Sequence, residues 1–113
     1  MENIKSYEEA LNVLGKGKPT YLDEMPKNEQ AYHKLCTICE ALNVEHENKA
    51  RVWFPWWFKD DLQAGVAARR SDVGLADEYA FFLVGFRLCS FDEKTALYFG
   101  SDPFLKLWQE YLL

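Results

Sequence analysis

The chain has 113 residues, of which 49% are hydrophobic and 16% aromatic, and its formal net charge is −5. That apolar share can offset chain entropy in a single domain over 1–113, so the composition excludes intrinsic disorder, and the length leaves little room for a second domain. An acidic chain is a poor general ligand for duplex nucleic acid, whose affinity comes mostly from neutralised phosphates, and no apolar run reaches the ~20 residues of a membrane span.

The opening stretch MENIKSYEEALNVL is acidic and amphipathic. It has no basic region followed by an apolar block, so it does not read as a secretory signal. Three cysteines, an odd number, do not form a disulfide framework, and a reducing cytoplasm is the expected compartment.

The first helix is expected over 6–14. Ser6 and Glu9 have capping-box spacing, and Gly15 stands where a helix ends. GKGKPT is a loop. A second helix is expected from Pro26 to about Asn43, with Ala31, Leu35, Ile38 and Leu42 forming one apolar stripe. After the polar VEHENK turn, Arg51 to Phe58 reads as a strand, with Pro55 suggesting an edge or a bulge. Residues 59–78 carry mixed charge and small residues and read as a mobile loop or a weakly formed helix. Tyr79 to Phe91, YAFFLVGFRLCSF, has the strongest strand composition, interrupted by Gly85.

Ser90 and Glu93 repeat the capping-box spacing and open a helix that Gly100 ends. Ser101-Asp-Pro opens another, in which Phe104, Leu105, Leu107, Trp108, Tyr111 and Leu112 supply the apolar stripe. The expected fold class is α+β: two N-terminal helices, a small antiparallel sheet of two to three strands, and two C-terminal helices.

Three pieces in order, SYEEALNVLG, AYHKLCTICEALN, and FPWWF followed later by GFRLCSFDEKTALYFGSDPFLKLWQEYLL, carry a resemblance. They resemble a family of short uncharacterised proteins encoded by phages and prophages of gut bacteria. The likeness covers the greater part of the chain and omits Lys59 to Glu78. It implies a phage gene expressed in a bacterial cytoplasm and no particular activity. Relatives carry apolar residues at the positions of Cys36 and Cys39, which argues against an essential thiol there.

The motif Cys36-Thr-Ile-Cys39 lies in the middle of the second expected helix. A redox pair works best at a helix N-terminus, where the thiol pKa falls. A zinc site needs four ligands, and only His33, His46 and Cys89 remain as soft candidates, with no second motif to complete the shell. The three cysteines therefore read as core residues, and no metal or cofactor is expected. There is no GxSxG, phosphate-binding glycine loop or HExxH pattern. No catalytic residue is assigned; a small enzyme of unknown reaction, built around His33 or His46, stays open as an alternative.

The segment ARVWFPWWFKD is the most informative, because five of the six side chains from Trp53 to Phe58 are aromatic. In a strand, Val52, Phe54 and Trp56 would face one way and Trp53 and Trp57 the other, unless Pro55 resets the alternation. The candidate binding surface is Trp53, Trp56, Trp57 and Phe58, with Arg51, Lys59, Arg69, Arg70 and Arg87 as basic neighbours. Trp, Tyr and Arg are the residues of interface hot spots, and the leading expectation is a non-enzymatic module that docks on a protein partner. The same rings and guanidinium groups could instead stack and pair a nucleotide. A third arrangement is a two-sided core, and an exposed patch could also close on a second copy of the chain.

Overall fold

The computed structural model describes residues 4–67, 73–75 and 86–113. Ser6 caps the first helix, α1 (Tyr7–Leu14), by accepting a hydrogen bond from the Glu9 amide at 3.2 Å, and its hydroxyl donates to the Glu9 carboxylate at 3.3 Å. Gly15 ends it in the left-handed conformation at φ 66°. The second helix, α2 (Lys27–Leu42), starts after Pro26 and buries the stripe Ala31, Leu35, Ile38 and Leu42. A single helical turn, α3 (Lys59–Gln63), is followed near the C-terminus by α4 (Glu93–Phe99) and α5 (Asp102–Leu112).

Helix α2 is the axis of the molecule, with α5 and α1 packed along it. Its stripe joins Ile4, Tyr7, Leu62, Leu88, Phe99, Phe104 and Trp108 in one hydrophobic cluster. Trp108 is wholly buried, and its indole N–H donates to the Phe99 carbonyl at 2.9 Å. Gln109 on α5 donates to the Leu62 carbonyl at 2.8 Å and so holds the end of α3. Tyr98 donates to the Ile4 carbonyl at 2.7 Å, which draws the N-terminal segment onto α4. The Cα radius of gyration, 13.3 Å, matches the roughly 13 Å expected of a compact chain of this length. Among the described residues no helix is long and apolar enough to cross a membrane.

The expected α+β class is overturned: the described chain is mainly helical. In place of a sheet layer, among the described residues only β1 (Trp53–Pro55) and β2 (Val73–Leu75) pair antiparallel, three residues each, with Phe54 opposite Gly74. The reason is physical. Pro55 has no amide hydrogen to extend a ladder, and the apolar stripes of α2 and α5 bury each other without an intervening sheet. The expected strand over 79–91 is also corrected where it is described. Phe86–Leu88 forms a 3-10 turn, while 79–85, with Gly85, lie outside the described residues.

The second capping box is shifted in register. Asp92, not Ser90, caps α4, accepting from the Thr95 amide at 2.8 Å. Ser90 is buried and bridges to Trp53 instead.

Candidate functional site

The aromatic segment is fixed at its start by backbone pairing. The amides of Val52 and Trp53 donate to the Ser90 carbonyl at 3.0 and 2.9 Å, and the Ser90 amide donates back to Trp53. The paired strand ends at the buried Pro55, so the two-residue alternation expected through Phe58 is held by pairing only as far as that residue. The rings then separate. Trp57 turns inward against Trp108, with ring centres 5.0 Å apart, and its indole N–H is buried with no acceptor among the described residues. Trp53 and Trp56 are half-buried. Phe58 is 63% exposed, and its ring stands edge-on to Trp56 at 5.3 Å and 82°. The candidate surface is thus split: Trp57 belongs to the edge of the core, and Phe58 with Trp56 forms an outward corner.

The basic neighbours do not gather around these rings. The Arg51 guanidinium points into the fold, where Nε donates to the Cys89 carbonyl at 2.7 Å and Nη2 to the Arg87 carbonyl at 2.8 Å. The same Nη2 lies 3.1 Å from the Cys39 sulfur. Lys59 and Arg87 are exposed, and Arg69 and Arg70 lie outside the described residues. Arg51 and Arg87 instead line a cleft of about 370 Å³ with Cys36, Glu40, Asn43 and Glu47. None of the rings from Trp53 to Phe58 lines it.

Behind that cleft lies a buried polar cluster that the sequence reading did not single out. Asn43 closes α2, and its side-chain amide donates to the Cys39 carbonyl at 2.7 Å and the Ser90 hydroxyl at 3.3 Å. Its carbonyl oxygen accepts from the Phe91 amide at 2.8 Å. The Cys39 thiol donates to the Cys89 carbonyl at 3.2 Å. The only hint in the sequence was an asparagine directly after a helical stripe, a residue type suited to helix ends.

All three cysteines are buried and reduced. Burial pushes the Cys39 thiol up to about 12, against the opposing pull of the Arg51 charge. Burial likewise pushes Cys89 up to about 11, with Arg51 again opposing, and it also raises Cys36. Thiols held in this way are protonated at neutral pH and are poor nucleophiles and metal ligands. Among the described residues no group of three or more His, Cys, Asp or Glu side chains is placed to hold a metal ion.

The two histidines stand apart. His33 lies edge-on to Tyr32 at 5.9 Å, and His46 stacks on Phe91 at 3.8 Å. His46 and Phe91 border a second cleft of about 310 Å³, floored by Ile4, Ala41 and Leu42.

No protein-family model, curated protein or solved structure matches this chain.

Proposed function

We propose that this chain is a non-enzymatic binding module that docks on a protein partner through the corner made by Trp56 and Phe58. The observation that supports this reading is the placement of Phe58, 63% exposed and braced by Trp56 on a segment tied down by backbone pairing. Leaving that ring in water forfeits most of the roughly 2 kcal/mol its burial would give. A ring held out at a fixed position loses little freedom when a partner covers it, which is the character of an interface hot spot. Exposed Lys59 adds a cation next to the corner in the chain.

The nucleotide alternative needs rings and arginines in one pocket. The described rings lie outside the Arg51–Arg87 cleft, which favours protein docking. The protonated thiols and the aromatic contacts of both histidines support a non-enzymatic role. The resemblance to phage-encoded proteins gives the setting: an accessory protein in the bacterial host cytoplasm whose partner is a host or phage protein. Inhibition of a bacterial defence system fits that setting and rests on context alone.

The test compares wild type with Phe58→Asp. A partner captured by the wild-type chain from host lysate is identified, purified and titrated against both chains by calorimetry. Phe58→Asp is expected to weaken binding by about 30-fold or more, the equivalent of a ~2 kcal/mol hot spot, with the melting temperature unchanged. Equal affinity for the two chains overturns the reading. So does sedimentation showing that wild type is a dimer and the variant a monomer, which would assign the corner to self-association.

A further inference from the structure

The cleft beside Arg51 carries charges that the fold leaves unbalanced. Among the described residues the ion pairs join Lys16 to Glu40, Lys18 to Asp23 and Lys27 to Glu110. Neither Arg51 nor Arg87 pairs with a carboxylate there, and neither does Glu47 with a cation. Arg51 is held by its Nε and Nη2 bonds, which leaves the two N–H groups of Nη1 without a protein acceptor among the described residues. A half-buried guanidinium fixed in place with donors to spare is pre-organised for a carboxylate or a phosphate.

One wall of the lining, from the last turns of α2 and the chain that follows, has the opposite sign. It carries Glu40, which pairs with Lys16, and Glu47, which pairs with no cation among the described residues. The C-terminal end of a helix adds partial negative charge to the same wall and favours a cation. The volume, about 370 Å³, falls in the range of roughly 300–1,000 Å³ typical of small-molecule sites.

We propose that this cleft binds a small zwitterion of the α-amino-acid class. Its carboxylate meets Arg51 and Arg87, and its ammonium group faces Glu47 and the end of α2. Glu47 works against polyanions such as phosphates, and among the described residues no ring in the lining offers the stacking a nucleobase would use. The site is separate from the Trp56–Phe58 corner and stands or falls independently of it.

The intact chain is titrated, by thermal shift and then calorimetry, with each of the proteinogenic L-amino acids. Any amino acid that binds is compared with its N-acetyl form, its decarboxylated amine, inorganic phosphate and AMP. The expected result is a rise in melting temperature with at least one amino acid and none with either blocked form, since the ligand stabilises only the folded state. Arg87→Ala and Glu47→Gln, both at exposed positions, are each expected to weaken that binding by about tenfold or more, the loss of one charge-assisted contact. Phe58→Asp binds as wild type does. The proposal is overturned if no amino acid shifts the transition, or if the N-acetyl form, phosphate or AMP binds as well. Wild-type affinity in either variant also overturns it.

Discussion

At Cys39 two effects compete for one proton. Burial disfavours the thiolate and Arg51 favours it; burial prevails, and the pKa rises from the ordinary 9.0 to about 12. Because the folded pKa lies above the unfolded one, this thiol contributes its full stability below pH 9. As pH rises, the unfolded chain releases the proton first, and stability falls until the folded pKa is reached. For Cys39 the window is 9.0 to about 12, and for Cys89 it is 9.0 to about 11. The loss within the window is about 1.4 kcal/mol per pH unit for each thiol. Burial also raises Tyr7, Tyr32 and Tyr111 from 10.0, so the alkaline slope belongs to several groups. The expected urea midpoint is flat from neutral pH to about 9 and falls above it, with a shallower fall in Cys39→Ala. A midpoint unchanged between pH 9 and 11, or identical slopes in the two chains, would refute this account.

At the scale of single elements, the helices were legible because their signals are local. Ser6, Glu9 and Gly15 bound α1 at the residues that their chemistry indicates. Gly15 sits at φ 66° with nothing within 4 Å of where a Cβ would be, so a side chain there meets strain from the backbone alone. Gly15→Ala is therefore expected to lower stability by about 1 kcal/mol, read as a shift in the denaturation midpoint without a change in slope. No shift would mean that the helix end relaxes into another geometry.

The strand reading ran too far at Arg51 to Phe58 and failed at Phe86–Leu88, because aromatic and β-branched composition reports burial as readily as pairing. Trp53–Pro55 does extend, but Pro55 limits the ladder, and the chain turns into α3 four residues later. The Ser90 capping box failed for a related reason. The serine lies in a buried bridge to Trp53, and Asp92, two residues on, takes the cap.

At the scale of the whole molecule, Arg51 joins segments distant in sequence. Its side chain links the carbonyls of Arg87 and Cys89 to the Cys39 sulfur on α2, while Asn43 makes a second tie from α2 to Ser90 and Phe91. Arg51→Ala removes the charge-assisted bonds to the Arg87 and Cys89 carbonyls and the contact with the Cys39 sulfur, at an expected cost of about 3 kcal/mol. Arg51→Lys should recover less than half of that, since a point charge cannot span both carbonyls as the planar fork does. Both are measured by urea denaturation. A loss below about 1 kcal/mol for Arg51→Ala would show that the tie is dispensable. Sequence reading had cast Arg51 as a ligand-facing cation beside the rings. The fold makes it a structural clamp, with only Nη1 left to a ligand.

The sequence by itself determined α1, α2, α4 and α5, the cap of α1 and the buried stripe of α2, because capping and 3.6-residue periodicity act over a few neighbouring residues. It also marked Trp53 to Phe58 as the segment with the most apolar surface to place. Only the tertiary structure decided which ring went where. Trp57 packs on the edge of the core because Trp108, far along the chain, meets its ring, while Phe58, the residue before α3, stays exposed. Packing against distant partners fixes such outcomes, and no local pattern encodes who those partners are.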